Sequence, residues 1–131
     1  MIPSARPAKP RPVYLNLAAI RQPIPAIASI LHRLSGALLF LVGVPALLLG
    51  VQRSLASPEA YEALRAFMAA PLARAATLVL VWAYLHHLFA GFRHLLMDVD
   101  IGLELKPARQ SATIATAAAL ILTLLVAIRL W

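Results

Sequence analysis

The chain has 131 residues, of which 62% are apolar and 13% charged, with no cysteine and a net charge of +7. A soluble domain carries about a quarter charged residues, and one this short exposes too much surface to hide so much apolar material. Composition therefore excludes a soluble or disordered chain and points to a membrane protein. The missing cysteines exclude a disulfide scaffold, a Cys-ligated zinc or iron–sulfur centre and a thiol nucleophile.

The first 25 residues contain six prolines (Pro3, Pro7, Pro10, Pro12, Pro23, Pro25). Residues 1–12 read as an irregular or extended tail, and residues 1–25 as a Pro/Arg-rich segment ahead of an anchor domain spanning 26–131. Three stretches then carry no Lys, Arg, Asp or Glu: Leu34–Gln52, Ala75–Phe92 and Gln110–Ile128. Each approaches the roughly 20 residues that cross a bilayer as a helix. With their flanks they predict spans over about 29–52, 73–97 and 108–130. Gly43 and Pro45 predict a mild kink in the first span. Between the first two spans, PEAYEALRAFMAA (58–70) reads as a short amphipathic surface helix, with Pro58 in its first turn and Glu59 and Glu62 near the positive end of its dipole. The fold class is all-α: three transmembrane helices plus this surface helix.

Basic residues set the topology. Lys9, Arg6, Arg11, Arg21 and Arg33 precede the first span, and Arg93, Lys106 and Arg109 flank the loop after the second. With the N-terminus inside, eight Lys and Arg lie on the inner side and four on the outer side. The positive-inside rule then puts the N-terminus in the cytoplasm. This orientation role accounts for most of the positive charge, so nucleic acid is not a predicted partner. Span three is rich in Ala and Thr, which allow close helix packing, and ends on Arg129 and Trp131 as interfacial anchors.

A few polar residues interrupt the apolar spans. In WAYLHHLFAGFRHLLMD (82–98), Tyr84, His87, Gly91, His94 and Asp98 fall in one stripe about 80° wide, while His86 points about 100° away from His87. Such a stripe faces protein, cofactor or water rather than lipid. Neutral imidazole ligates haem iron, and Gly91 removes a side chain where a flat macrocycle could lie. The alternative is that these histidines only make interhelical hydrogen bonds. In SILHRLSG (29–36), Ser29, His32, Arg33 and Gly36 share a second face. Its alternative reading is a snorkelling Arg33 with Ser29 as helix cap. Span one starts inside and span two ends inside, so His32, Arg33, Arg93 and His94 lie near the cytoplasmic boundary. His87 lies about 10 Å deeper than His94. That arrangement suits an upright haem with iron at His87 and propionates at the basic edge. His87 and His94 are too far apart to ligate one iron, and His32 is read as lying at the wrong depth. A second axial ligand would then come from another subunit.

The chain resembles the cytochrome b subunit of succinate dehydrogenase, the larger of two membrane anchors of complex II. The resemblance rests on RPVYLNL (11–17), IRQPIPAIASILHRLSG (20–36), SPEAYE (57–62) and H-x3-GFRHLLMD (87–98). It implies a heteromeric bundle in a bacterial inner membrane. His87 matches the family's axial haem b ligand, with the opposite histidine supplied by the smaller anchor subunit. His86 adjoins it, and the spacing to Gly91 and the face shared with His94 favour His87. His32, Arg33 and His94 match the propionate edge. Ser29, Arg33 and Ile30 match residues of the ubiquinone site beside a docked iron–sulfur subunit, and Asp98 matches an aspartate beyond the helix. The chain has no flavin motif, cysteine cluster or dicarboxylate-binding domain, so electrons from succinate must arrive through flavoprotein and iron–sulfur partners. Two alternatives stand beside this: a fumarate reductase anchor working with menaquinone, and a structural membrane protein without cofactor. Three spans without inverted repeats disfavour a transporter.

Overall fold

The computed structural model describes residues 20–130. Among these the regular structure is all helix with no strand, and three helices are long and apolar enough to span a membrane: Ile24–Ala56, Pro71–Asp98 and Leu105–Leu130. The Pro-rich segment up to residue 19, with the RPVYLNL motif, and Trp131 lie outside the described residues.

The first span begins earlier than its charge-free stretch. Helix α1 (Ile24–Leu38) starts after Pro23, whose extended backbone and free carbonyl receive the amides of Ala26 and Ile27. Pro25 sits in the first turn, where a missing N–H costs nothing. Ser29 is therefore inside the helix and does not cap it. At Leu39–Gly43 the helix widens into one π turn, with the Val44 amide on the Leu39 carbonyl, and continues as α2 (Val44–Ala56). The physical cause is Pro45, which has no N–H to offer the carbonyl four residues back; wider pairing is one way a helix absorbs that break. The kink predicted at Gly43 and Pro45 thus takes the form of a π turn.

Helix α3 (Pro58–Ala69) is the surface helix. Ser57 caps it, its Oγ accepting the Ala60 N–H at 3.1 Å. The Ser57 hydroxyl also holds the Glu59 carboxyl below the usual carboxylate range. Ala70 is extended, the conformation favoured before a proline, and Pro71 opens α4 (Pro71–Asp98). α4 ends in a Schellman motif: the Asp100 amide bonds to the Met97 carbonyl and the Ile101 amide to the Leu96 carbonyl, with Asp100 at φ 62°. Helix α5 (Leu105–Leu130) follows.

α4 lies between α1 and α5 and touches both, and α1 also packs on α5. The buried residues are mostly alanines: Ala28 on α1, Ala73, Ala83 and Ala90 on α4, and Ala112, Ala115 and Ala119 on α5. Small side chains let backbones approach where no water drives association. Thr77, Thr113, Thr116 and Thr123 each return their hydroxyl to the carbonyl four residues back, so these polar groups are satisfied within their own helices. Beyond the π turn, α2 has no close backbone approach to α4 or α5.

Candidate functional site

The polar residues of α1 and α4 meet where the two helices cross. His87 on α4 is half-buried, and its Nδ1 lies 3.0 Å from the His32 main-chain carbonyl. A carbonyl only accepts, so Nδ1 carries the proton. The neutral ring therefore keeps its lone pair on Nε2, which makes no hydrogen bond among the described residues. Ser35, 1% exposed, donates its Oγ–H to the same carbonyl at 2.9 Å and offers Nδ1–H a longer second acceptor at 3.4 Å. The His32 ring stacks on His87, with centroids 4.1 Å apart and planes 11° from parallel, and sits 5.0 Å from His94. His32 thus bridges His87 and His94 of α4. The expectation that His32 lies at a depth remote from His87 is corrected: its side chain reaches along the helix pair to the level of His87. Parallel stacked rings still cannot bind one iron from opposite sides.

One glycine, Gly36, makes this contact possible. A Cβ on Gly36 would lie 2.7 Å from Cε1 of His87, inside van der Waals contact, whereas one on Gly91 would meet His32 Nε2 at 3.4 Å. The space at Gly91 thus faces the His32 ring.

His86 occupies a different environment. It is fully buried, stacks on Trp82 at 5.4 Å, and neither ring nitrogen has a hydrogen bond, although the Ala28 carbonyl is its polar neighbour. Its position follows from the helical angle that separates it from His87. Arg93 also departs from expectation. Although read as part of the basic edge, it is buried and turned toward α5, with Nε on Ser111 Oγ at 3.0 Å and Nη2 on the Ala108 carbonyl at 3.4 Å. The basic groups near the histidines are thus Arg33, which is exposed, and the imidazoles themselves.

Ser29 is half-buried, Ile30 is 49% exposed, and Arg33 is exposed and makes no ion pair among the described residues. One helical turn separates Ser29 from Arg33, so the pair forms one open polar edge near the N-terminal end of α1. Tyr84 and Asp98 complete the α4 stripe and are exposed. Among the described residues no three His, Cys, Asp or Glu side chains converge as a metal site. A metal held here would bring most of its ligands with it, as iron in a porphyrin does. The free lone pair of His87, with its other nitrogen fixed on a carbonyl, suits that single bond. Ser35 is the functional candidate that sequence reading missed. It lies just off the Ser29–His32–Arg33–Gly36 face, and its importance comes from the register of α1 on α4.

The sequence model described as succinate dehydrogenase/fumarate reductase transmembrane subunit matches residues 7–126. A protein of Coxiella burnetii named succinate dehydrogenase cytochrome b556 subunit is 34% identical over 122 residues, covering 92% of this chain and 97% of that one. A protein of the same name from Paracoccus denitrificans is 30% identical over 115 residues, 88% of each chain.

Proposed function

The chain belongs to the succinate dehydrogenase/fumarate reductase transmembrane subunit family, and from that premise we propose that it is the larger, haem-carrying membrane anchor of a succinate:ubiquinone oxidoreductase. It is a multi-pass membrane subunit of an oxidoreductase complex. In the proposed assembly its N-terminus faces the cytoplasm of a bacterial inner membrane, and it docks the iron–sulfur and flavoprotein subunits there.

The observation that carries the reading is the hydrogen bond from His87 Nδ1 to the His32 carbonyl, which leaves Nε2 free and would let it hold haem b. The smaller anchor subunit would supply the other axial histidine. His32, His94 and Arg33 would receive the propionates. When bound, the haem supplies a one-electron carrier beside the quinone site.

Quinone reduction consumes two electrons and two protons. The electrons come from the iron–sulfur partner, and the protons from the water-accessible side. Ser29 and Arg33 lie on the open edge of α1, where a hydroxyl and a guanidinium can donate hydrogen bonds to a quinone carbonyl and hold the ring in place. Ile30 between them offers an apolar wall.

The test is an optical spectrum of the complex purified in mild detergent, with its subunits identified. A reduced b-type haem spectrum is expected, lost in His87→Ala. Ser29→Ala is expected to keep the spectrum and slow quinone reduction, and Arg33→Ala mainly to slow quinone reduction. A complex without haem from haem-replete cells would sink the reading. Both named relatives are succinate dehydrogenase subunits, which favours that direction over fumarate reduction. Relative rates with ubiquinone and menaquinone analogues separate the two.

A further inference from the structure

We propose that Ser35, Gly36 and the main-chain carbonyl of His32 form a cradle on α1 that fixes the orientation and tautomer of the His87 ring, making Ser35 and Gly36 positioning residues for the haem ligand. The inference deepens the proposed function and rests on His87 being that ligand.

Gly36 controls how closely the ring can approach. The imidazole lies where a side chain at 36 would otherwise stand, with Cε1 2.7 Å from the place of a Cβ, Nδ1 3.2 Å and Nε2 3.7 Å. A methyl group there must push the ring off its position and turn Nε2 away from its present direction. Gly50, in the same long helix, has nothing within 4 Å of such a Cβ, so helical glycine is not in itself constrained here.

Ser35 controls the hydrogen bond. It is the most deeply buried serine or threonine of α1, at 1% exposure. Its back-bond to the His32 carbonyl resembles that of Ser54 to the Val51 carbonyl. The difference is the third party: the carbonyl that Ser35 shares also receives His87 Nδ1 from the neighbouring helix. A donor competing for that carbonyl weakens the pull on the Nδ1 proton, which the 3.0 Å bond to the carbonyl carries far more than the opposing 3.4 Å contact with Ser35 Oγ, and this pull sets how electron-rich the ligand nitrogen is. Ser35 therefore moderates the basicity of His87 without touching the iron. Because the acceptor is main chain, replacing the His32 side chain leaves it in place.

The experiment compares Ser35→Ala, Gly36→Ala, Gly50→Ala and His87→Ala in the full complex, by haem content, redox titration and electron paramagnetic resonance of the oxidised haem. Ser35→Ala should retain haem with a lower midpoint potential, since the carbonyl then accepts from His87 more strongly and favours ferric iron. Gly36→Ala should lose most of its haem or show changed g-anisotropy from a rotated ligand plane, while Gly50→Ala matches the parent. If Gly36→Ala does not assemble, the potential of Ser35→Ala decides. An unchanged or raised potential in Ser35→Ala, or a parental spectrum and haem content in Gly36→Ala, overturns the cradle while the haem reading stands. A parent without haem, or full haem in His87→Ala, overturns the ligand assignment itself.

Discussion

Neighbouring histidines on α4 have opposite fates because one residue turns the helix by about 100°. His86 faces the interior with two unsatisfied nitrogens, and His87 faces α1 with one nitrogen bonded and one free. A buried polar ring whose nitrogens make no hydrogen bond is a cost, and removing such groups returns about 1–3 kcal/mol. The fully membrane-embedded reference state lowers that gain. His86→Leu, close in volume, is accordingly expected to leave haem content unchanged and the thermal midpoint of the complex equal or higher. Haem lost from His86→Leu but kept in His87→Leu would reverse the ligand assignment. Much of this was legible beforehand, since angular arithmetic separates His86 from His87 and groups His87 with Gly91 and His94. The contact of Ser35 and Gly36 with His87 was not legible, because it depends on the register of α1 against α4. Arg93 misled for a similar reason: its position near the helix end was readable, but its turn toward Ser111 and away from the histidines was not.

Helix ends are dictated by local chemistry and were partly readable. Pro58 announces the start of α3, whereas the Ser57 cap and the opening of α4 at Pro71 emerge only in the fold. The π turn at Leu39–Gly43 was foreshadowed only by Pro45, because the sequence shows the missing N–H but not which carbonyls re-pair. The end of α4 carries no glycine signal at all. Asp100 occupies the left-handed position of the Schellman motif, a conformation that disfavours most L-residues by about 1–2 kcal/mol and Asp less so. Glycine relieves that strain but adds chain entropy to the unfolded state. Asp100→Gly should therefore stabilise this corner by about 0.5 kcal/mol. Hydrogen exchange is the measure, with the Asp100 and Ile101 amides expected to slow by about twofold, since 1.4 kcal/mol is a factor of ten. Faster exchange would mean that the Asp100 side chain itself holds the turn.

On the scale of the molecule, the three spans do not form a closed bundle. α1 packs on α4 and α5, but past the π turn α2 leaves them, and Leu47, Leu48, Leu49 and Val51 stand exposed. The charge-free stretches reveal three spans, yet nothing in their composition distinguishes a face for lipid from one for a partner helix, because both are apolar. The polar side chains are more informative. Tyr84 sits mid-helix and 57% exposed, on the same helical stripe as the half-buried His87. Under the proposed assignment of His87 as haem ligand, no other histidine among the described residues is placed to serve as a second axial ligand. His94 lies two turns away, His86 is buried, and His32 is stacked parallel to His87. Two axial nitrogens must sit about 4 Å apart across the iron, each at about 2 Å. Expressed without the other anchor, the chain should therefore give no six-coordinate low-spin b-type spectrum, even in haem-replete cells. Co-expression of the other anchor should restore that spectrum together with a stable complex. Absorption and electron paramagnetic resonance on membranes from the two strains decide the matter. A bis-histidine signal from this chain alone would show that the open face of α4 finds its second ligand in another copy of the same chain.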